Sequence, residues 1–295
     1  MGCTLCPRNC GANRQNEIGF CGASSAIKVA RAMPHLWEEP CLSGEKGSGT
    51  VFFSGCQLKC VYCQNRAISD GKSGVEITQE HLTRLFFQLK EQGVHNINLV
   101  TPDPYLPKVA LAIKAAKEQG IALPFVMNCS GYETVSSLQA LDGLIDVYLP
   151  DFKYMSPILA KKYSGARDYP SVAKDAIAEM IRQRPKAVFD DSCMMKKGVI
   201  VRHLLLPGCT HDSKRILAYL HKTYGESIYI SIMSQFTPIA MEEYPELNRI
   251  VTEEEYDDVT DFAWRIGIRN AFIQEGSAAS ESFIPSFNGE GVYNT

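Results

Sequence analysis

Short apolar runs alternate with amphipathic stretches along most of the chain. Runs rich in β-branched residues, with the length of buried strands, span residues 50–54, 96–101, 123–128, 145–149, 199–206 and 228–233. Stretches with helical periodicity lie near residues 78–92, 105–119, 133–141, 169–183, 212–224 and 253–266. Because helices that separate buried strands cover both faces of a sheet, this order predicts parallel strands joined by right-handed crossovers. Six such units predict an α/β barrel or a large part of one.

The two ends of the chain depart from this pattern. Residues 1–48 have weak periodicity and close in the flexible stretch 43–49, which predicts a loop-rich segment that contains cysteines. Residues 273–295 are polar and aromatic without clear periodicity, so they either close the open side of the barrel or form a loose terminus. We therefore predict an N-terminal segment over 1–48, a barrel over 49–272 and a tail over 273–295.

Composition narrows the class of protein. The 295-residue chain is 45% hydrophobic, which is ordinary for a globular protein, and its net charge of -3 favours neither nucleic acid nor a membrane surface as a partner. It has no apolar run of the roughly 18 residues that a membrane span needs, and its start lacks a signal-peptide pattern, so we expect a cytoplasmic protein. Its eleven cysteines predict metal binding rather than disulfides, because cytosolic thiols are kept reduced.

One group of cysteines follows the first predicted strand directly. Cys56, Cys60 and Cys63 form a CxxxCxxC pattern, and three soft thiolates on one tight loop suit an iron-sulfur cluster. Since a cluster normally takes four protein ligands, three leave one iron open to a small molecule that has an amine and a carboxylate. The alternatives are a zinc site with its fourth ligand elsewhere, or three unrelated buried thiols.

The CxxxCxxC pattern, with Tyr62 before its third cysteine, resembles the signature of the radical SAM superfamily. The closer resemblance is to the pyruvate formate-lyase activating-enzyme-like group, and within it to the branch with a cysteine-rich N-terminus. The motifs that carry this resemblance cover nearly the whole chain, and they are CTLCPRNC at 3–10, GFCG at 19–22, WEEP at 37–40, GCQLKCVYCQN at 55–65, NINLVTP at 96–102, LPDFKY at 149–154 and RHLLLPG at 202–208.

This resemblance implies a fold and a chemistry. The fold is a partial (β/α)6 TIM-like barrel, and the open iron of a 4Fe-4S cluster binds S-adenosyl-L-methionine (SAM) through its amine and carboxylate. One electron from a flavodoxin- or ferredoxin-type donor breaks the sulfonium bond, and the 5'-deoxyadenosyl radical then takes a hydrogen atom from the substrate. The cofactor carries the difficult step, while protein groups orient it and exclude water.

Charged residues at the ends of predicted strands are candidates for SAM binding. Asp151 and Lys153 fall on one side of an extended segment, with Phe152 pointing away. The resemblance assigns Lys153 to the methionyl carboxylate and Asp151 to a polar group of SAM or substrate, with a surface ion pair as the alternative. Asp103 stands in a turn where many family members have Gly-Gly-Glu-Pro, and it either accepts the methionyl amine or caps the next helix.

Four further residues complete the predicted SAM site. The resemblance places Arg202 against SAM and Tyr62 against the adenine, while packing beneath the loop is the alternative for Tyr62. Asn128 and Ser130 end the third strand and offer polar groups to the ribose or the sulfonium region, unless they form an ordinary turn. We leave out His203, because a lone histidine in an apolar strand is more often a satisfied interior residue.

The second group of cysteines consists of Cys3, Cys6, Cys10 and Cys21. It can supply four thiolates to one additional metal site. Zinc would make this a closed structural site, which we favour, whereas an auxiliary iron-sulfur cluster would relay electrons or bind substrate. Reduced, unligated thiols are the simplest alternative.

The leading predicted function is the transfer of radical character to a protein or peptide, as in the activation of a glycyl radical enzyme. This target rests on fold and family alone, since one fold hosts many reactions. A radical SAM enzyme that acts on a small metabolite or a maturing peptide is the second hypothesis. A non-catalytic metal-binding scaffold with zinc on the CxxxCxxC loop is the third.

Overall fold

A computed structural model describes residues 2–238, 240–274 and 285–293. The strands in these ranges are β1 (Ile27–His35), β2 (Ser48–Phe53), β3 (Val75–Ile77), β4 (Ile97–Val100), β5 (Phe125–Cys129), β6 (Val147–Pro150), β7 (Val188–Phe189), β8 (Met195–Leu204), β9 (Tyr229–Met233) and β10 (Ala271–Ile273). The α-helices are α1 (Pro40–Ser43), α2 (Arg66–Ser69), α3 (Gln79–Glu91), α4 (Leu106–Glu118), α5 (Val135–Gln139), α6 (Pro157–Ser164), α7 (Tyr169–Gln183), α8 (Thr210–Tyr224) and α9 (Glu253–Arg265).

The strands form one mixed sheet in the order β10-β9-β8-β6-β5-β4-β2-β1-β3, with β7 paired to β8. The seven strands from β10 to β2 in this order are parallel to their neighbours, and helical crossovers connect most of them. β1 pairs antiparallel with β2, and β3 pairs antiparallel with β1. Within the described residues, the edge strands β10 and β3 do not pair with each other. The sheet is therefore open, and the prediction of a partial barrel is confirmed.

The six predicted strands and six predicted helices are all present, with boundaries shifted by a few residues. β1 and α1 lie within the segment that the sequence predicts to be loop-rich, and the residues before β1 are irregular. A register shift between Val29 and Arg31 interrupts the pairing of β1 with β2, and the adjacent residues Val29 and Ala30 are both buried. This irregularity breaks the apolar-polar alternation on which the sequence prediction of a strand depends.

Helices on the outside of the sheet bury aromatic side chains against the strands. Phe86 of α3 meets Phe125 of β5 edge to face, with ring centroids 5.2 Å apart. Phe152, just after β6, meets Tyr219 of α8 in the same geometry at 5.9 Å. Burial of such a side chain stabilises the fold by about 1.5–3 kcal/mol, so these contacts fix the strands whose ends carry the site.

The C-terminal residues return to the opposite edge of the sheet. The chain leaves β10 at one edge, and residues 285–293 lie along β1, where the Gly289 amide donates to the Ala30 carbonyl at 2.9 Å and the Ala32 amide to the Glu290 carbonyl at 3.0 Å. The prediction that the tail closes the open side also concerns residues 275–284, 294 and 295, which lie outside the described residues.

None of the helices in the described ranges combines the length and the apolar content that crossing a membrane requires.

Candidate functional site

The CxxxCxxC loop begins directly after β2, at the carboxyl ends of the parallel strands. The thiols of Cys56, Cys60 and Cys63 are free and line a cavity of about 220 Å³, called here the mouth cavity. Gly55 enters this loop with φ +89°, where a Cβ would lie 2.8 Å from the Cys21 carbonyl oxygen. The Cys56 amide donates to that same oxygen at 3.0 Å, so the loop is joined directly to the N-terminal segment.

The three thiols influence one another electrostatically. Burial raises the pKa of Cys56 to about 12, and the neighbouring Cys63 and Cys60 add to this effect. Burial and the nearby Cys60 likewise raise the pKa of Cys63 to about 11. Without a cation the thiols of Cys56 and Cys63 are protonated at neutral pH, whereas metal ligation requires thiolates. Across the described ranges, no group of three or more His, Cys, Asp or Glu side chains is arranged as a site that could hold a metal ion.

Tyr62 packs beneath the loop in an aromatic cluster. Its ring contacts those of Tyr154, Tyr163 and Phe236, with centroids 5.9–6.4 Å apart. Its hydroxyl accepts a hydrogen bond from Tyr154 at 2.7 Å. The packing alternative is thus realised, and because Tyr62 also lines the mouth cavity, its contact with an adenine stays a prediction.

A hydroxyl group supports the cysteine loop from α6. Ser164, the last residue of that helix, is buried and donates to the Cys60 sulfur at 3.1 Å. The Ser164 oxygen also lies 2.8 Å from the Tyr154 hydroxyl. Hydrogen bonds to ligand sulfur atoms tune the redox potential of iron-sulfur clusters, and sequence reasoning offered no signal for this residue.

Opposite the cysteines, alternating charges line the mouth cavity. The Lys153 ammonium lies 2.6 Å from Asp151 Oδ2, and Arg202 Nε donates to Asp151 Oδ1 at 3.0 Å. Phe152 between them is fully buried in the core. The prediction that Asp151 and Lys153 share one side of an extended segment is confirmed, and both lie in the cavity wall rather than on the surface.

The charge states of these groups follow from their contacts. Burial alone would raise the pKa of Asp151, but Arg202 and Lys153 lower it below the ordinary value for aspartate. Burial opposes the charge on Lys153, yet Asp151 and Cys60 raise the pKa of that ammonium. Asp151, Glu39 and Glu38 raise the pKa of Arg202 in the same way against burial. All three predicted residues are therefore charged at neutral pH.

Asn128 and Glu38 extend this network toward the bottom of the barrel. The Asn128 Oδ1 atom accepts from Arg202 at 2.6 Å, and its amide group lies 3.3 Å from Glu38 Oε1. Glu38 also accepts from Asn98 at 2.9 Å and from Arg202 at 3.4 Å. The only sequence signal for Glu38 is its position in the WEEP motif, where two acidic residues stand between a tryptophan and a proline.

Ser130 and Asp103 occupy different places. Ser130 lines the mouth cavity, and its hydroxyl donates to Glu133 Oε1 at 3.2 Å. Asp103 does not line that cavity, and neither does it cap α4. It is buried, next to the Glu133 carboxyl, in the wall of a second cavity that also contains Cys6. The structure therefore does not realise the capping alternative, and it brings Asp103 to the N-terminal cysteines rather than to Lys153.

The N-terminal cysteines converge on that second cavity. Its volume is only about 10 Å³, and its wall includes Cys3, Cys6, Cys10 and Cys21. A Cβ on Gly19 would lie 3.5 Å from the Cys21 sulfur and 3.7 Å from the Cys10 sulfur, so both of these thiols border the same glycine. The four thiols that the sequence grouped by spacing are thus grouped in space.

Arg8 fastens this segment to the cysteine loop and to α6. Its guanidinium donates to the carbonyl oxygens of Gln57 at 2.9 Å, Leu58 at 3.3 Å, Ser164 at 2.8 Å and Gly165 at 2.7 Å. The same group stacks 4.5 Å from the centroid of the Phe20 ring.

Comparison with known proteins identifies the family. The sequence profile of the radical SAM superfamily matches residues 50–220, which is more than half of the chain. This chain belongs to the radical SAM superfamily. The match begins in β2, includes the cysteine loop and ends in α8. Membership in this superfamily implies a 4Fe-4S cluster and SAM as cofactors.

Individual relatives of this radical SAM enzyme are distant. It is 28% identical over 273 residues to an uncharacterized protein of Methanocaldococcus jannaschii, covering 88% of this chain and 74% of that protein. SuiB of Streptococcus suis, solved bound to S-adenosylmethionine, has a TM-score of 0.50 at 13% identity over 76% of this chain. This chain spans only 49% of SuiB. Methylornithine synthase (PylB) has a TM-score of 0.49 at 15% identity, covering 79% of this chain and 66% of that one.

The donor chemistry of the residues in this radical SAM enzyme matches both cofactors. The three free thiols at the mouth are the soft donors that a 4Fe-4S cluster takes, and their number leaves one iron for SAM. Behind them, the cavity offers the cation of Lys153 and the oxygens of Asp151 and Asn128. These complement the carboxylate and the amine of a zwitterionic methionyl group.

Proposed function

We propose that this radical SAM enzyme generates a 5'-deoxyadenosyl radical in the mouth cavity and uses it to remove a hydrogen atom from a protein or peptide, as a pyruvate formate-lyase activating enzyme does. The observation that supports the radical chemistry is the placement of three free thiols opposite the pair Asp151 and Lys153 in one cavity. Within the described ranges the sheet stays open, and this supports a polypeptide substrate, because a chain segment needs room to approach the cavity.

Each residue has a role in this proposal. Cys56, Cys60 and Cys63 hold the cluster, which when reduced supplies the electron that splits SAM. Lys153 binds the methionyl carboxylate, and the network between Asp151 and Arg202 keeps both cations in place before SAM arrives.

The remaining predicted contacts orient the rest of the cosubstrate. Asn128 and Ser130 offer polar groups to the ribose or the sulfonium region, and Tyr62 lies against the adenine. The aromatic packing around Tyr62 and the apolar residues Leu58 and Val100 in the cavity wall exclude water from the reacting groups.

The cleavage of SAM is tested on anaerobically reconstituted protein reduced with dithionite. We expect the wild type to release 5'-deoxyadenosine from SAM and Cys60→Ala to release none. Cys193→Ala is the matched control, because that thiol is exposed and lies outside the mouth cavity. Equal product from the wild type and Cys60→Ala would contradict the assignment of the loop.

The protein substrate is tested by electron paramagnetic resonance (EPR). The reduced enzyme with SAM is incubated with candidate glycyl radical proteins of the same organism, and a flavodoxin or a ferredoxin is supplied as the physiological electron donor. A glycyl radical signal supports the proposal. Silence with every candidate, together with normal release of 5'-deoxyadenosine, would favour a small metabolite or a maturing peptide as substrate.

We further propose that Cys3, Cys6, Cys10 and Cys21 hold one structural zinc ion. The small volume between their side chains supports a single ion over a second cluster, and burial raises the pKa of Cys6 to about 11, which a bound cation would offset. Metal and sulfide analysis of anaerobically purified protein tests this. About four irons and one zinc per chain are expected, whereas about eight irons would indicate an auxiliary cluster.

A further inference from the structure

A third cavity, larger than the other two, opens beside the mouth cavity. It has a volume of about 750 Å³ and lies between the loop that follows β1 and the edge strand β10. We call it the seam cavity. A volume of this order accommodates a residue-sized or somewhat larger ligand.

The seam cavity and the mouth cavity share part of their walls. The side chains that line both are Trp37, Glu38, Arg202, Met233 and Gln235. A group held in the seam cavity therefore lies next to the place where the radical is proposed to form. This is the geometry that a substrate site requires, because hydrogen transfer occurs between atoms in contact.

The walls of the seam cavity combine apolar and polar side chains. Leu36, Phe272 and Ile273 provide hydrocarbon surface, and Leu36 is 54% exposed. Among the polar residues, only 7% of Glu39 is exposed, yet its side chain belongs to the wall. Its Oε2 atom accepts no hydrogen bond from any described residue. A buried polar atom without a partner is costly, and this one belongs to a side chain that lines the seam cavity.

The charges around Glu39 do not balance. The acidic groups of this network are Glu38, Glu39 and Asp151, and the basic groups are Lys153 and Arg202. Arg202 directs its hydrogen bonds to Asp151, Asn128 and Glu38, and Lys153 directs its own to Asp151.

Glu39 therefore shares Arg202 with Asp151 and Glu38, and the network has one acidic group more than it has basic groups. Burial raises the pKa of Glu39 to about 7, partly offset by Arg202 and increased by Glu38. One additional positive charge in the cavity would restore the balance.

We propose that Glu39 binds an ammonium or guanidinium group of the substrate in the seam cavity, while the hydrocarbon stem of that group lies on Leu36 and Phe272. Lysine and arginine side chains have this combination of an apolar stem and a cationic end. The inference deepens the proposed function, because it specifies which part of a polypeptide substrate the enzyme recognises.

Binding is tested on the reconstituted holoenzyme with SAM, using the fluorescence of Trp37, which lines the seam cavity. The second tryptophan, Trp264, is replaced by Trp264→Phe in all samples so that Trp37 alone reports. The probes are agmatine, cadaverine and the neutral analogue 1-pentanol, all at constant ionic strength. We expect at least one cation to change the signal saturably and to bind about tenfold or more tighter than the neutral analogue, as a hydrogen bond to a charged group predicts.

Two variants locate the binding group. Glu39→Gln removes the charge but keeps the shape, and we expect it to abolish the preference for the cation. Glu45→Gln makes the same change on an exposed side chain outside the cavity and is expected to bind like the wild type. Circular dichroism confirms that each variant is folded. Glu39→Asp keeps the charge on a shorter side chain and is expected to retain part of the preference for the cation.

Several outcomes would overturn the inference. They are equal affinity for cations and the neutral analogue, an unchanged preference in Glu39→Gln, or no saturable binding of either cation to the wild type. The release of 5'-deoxyadenosine, measured without probe in the same wild-type samples, reports on the proposed function separately. Absence of that product with intact cation binding would contradict the radical chemistry and not the cation site.

Discussion

Ser164 is the residue whose chemical effect on the cluster is most direct. Its hydroxyl donates to the Cys60 sulfur, and such a bond stabilises the additional negative charge of the reduced cluster. Ser164→Ala should therefore lower the reduction potential. A loss of about 1 kcal/mol corresponds to a shift on the order of 40 mV for one electron.

An EPR-monitored redox titration measures this shift in the reconstituted protein. Ser171→Ala is the matched control, because its exposed hydroxyl donates to the Asp168 carbonyl at the start of α7 and lies outside the mouth cavity. An unchanged potential in Ser164→Ala would show that the hydroxyl does not reach the ligand sulfur.

His203 gives the stability of the protein a defined pH dependence. Its Nδ1 lies 2.8 Å from the Phe152 carbonyl, which can only accept, so Nδ1 carries the proton and Nε2 accepts from Ser213. Burial lowers the pKa of His203, although the Phe152 carbonyl, Asp212 and Asp151 oppose this effect. Below pH about 6.5 the unfolded chain binds a proton that the folded chain does not. The free energy of unfolding should then decrease by up to about 1.4 kcal/mol for each unit by which the pH is lowered.

Urea unfolding of the wild type and His203→Gln between pH 7.5 and 5.5, a range of about one unit on either side of the free histidine pKa, measures this slope. The variant should be less stable at pH 7.5 but lose less stability on acidification. His211→Gln, on the exposed surface of α8, should behave like the wild type. Parallel curves for the wild type and His203→Gln would contradict the assignment of a neutral imidazole.

The residues of the mouth cavity differ in how far the sequence reveals them. Asp151 and Lys153 are separated by one position on an extended segment, so local alternation alone places them together. Glu38 and Ser164 come from a loop and a helix end far from their partners in sequence, and no local pattern reports such contacts. Asp103 was predicted from a turn motif, and its neighbours depend on how the N-terminal segment packs, which spacing does not encode.

At the scale of elements, the close approach of the loops after β5 and β6 depends on a single glycine. Gly131 has φ +74°, and a Cβ there would lie 2.2 Å from the Asp151 carbonyl oxygen. Gly131→Ala should destabilise the protein by about 3 kcal/mol or more, because it adds a backbone clash to the cost of about 1–2 kcal/mol for alanine in the left-handed region. The shift of Asp151 should also weaken SAM binding.

Gly143→Ala separates these two costs. Gly143 has φ +80° but no atom within 4 Å of its Cβ position, so only the conformational cost applies. Thermal unfolding of both variants and equilibrium dialysis of SAM make the comparison. Equal destabilisation of the two variants, with SAM affinity unchanged in both, would show that the loops after β5 and β6 can move apart without a cost in stability.

The order of strands and helices was predictable because each crossover unit is a local pattern of periodicity. The bulged strand β1 was not, since its burial follows from pairing with β2 and not from alternation. The short edge strand β10 has three residues and is stabilised by pairing with β9, so its own sequence carries little signal.

At the scale of the whole molecule, Arg8 joins parts that are remote in sequence. Arg8→Ala removes the donors for four backbone carbonyls, of which those of Gln57, Leu58 and Ser164 are partly buried. We expect a loss of about 2–3 kcal/mol, faster proteolysis of the N-terminal segment and faster loss of the cluster in air. Arg8→Lys should recover little, because one ammonium cannot replace a planar group with five donors.

Limited trypsin digestion and the decay of the cluster absorbance in air measure these effects. Arg66→Ala removes an exposed arginine from α2 and should match the wild type in both measurements. Normal cluster lifetime in Arg8→Ala would show that the N-terminal segment does not support the cysteine loop.

The reach of Arg8 also constrains when the site can be completed during synthesis. Its partners Ser164 and Gly165 stand 156 and 157 positions later in the chain. Arg8 therefore cannot complete its set of contacts until more than half of the 295 residues have been synthesised. Iron and sulfide inserted earlier would meet a cysteine loop that still lacks the link from Arg8 to α6.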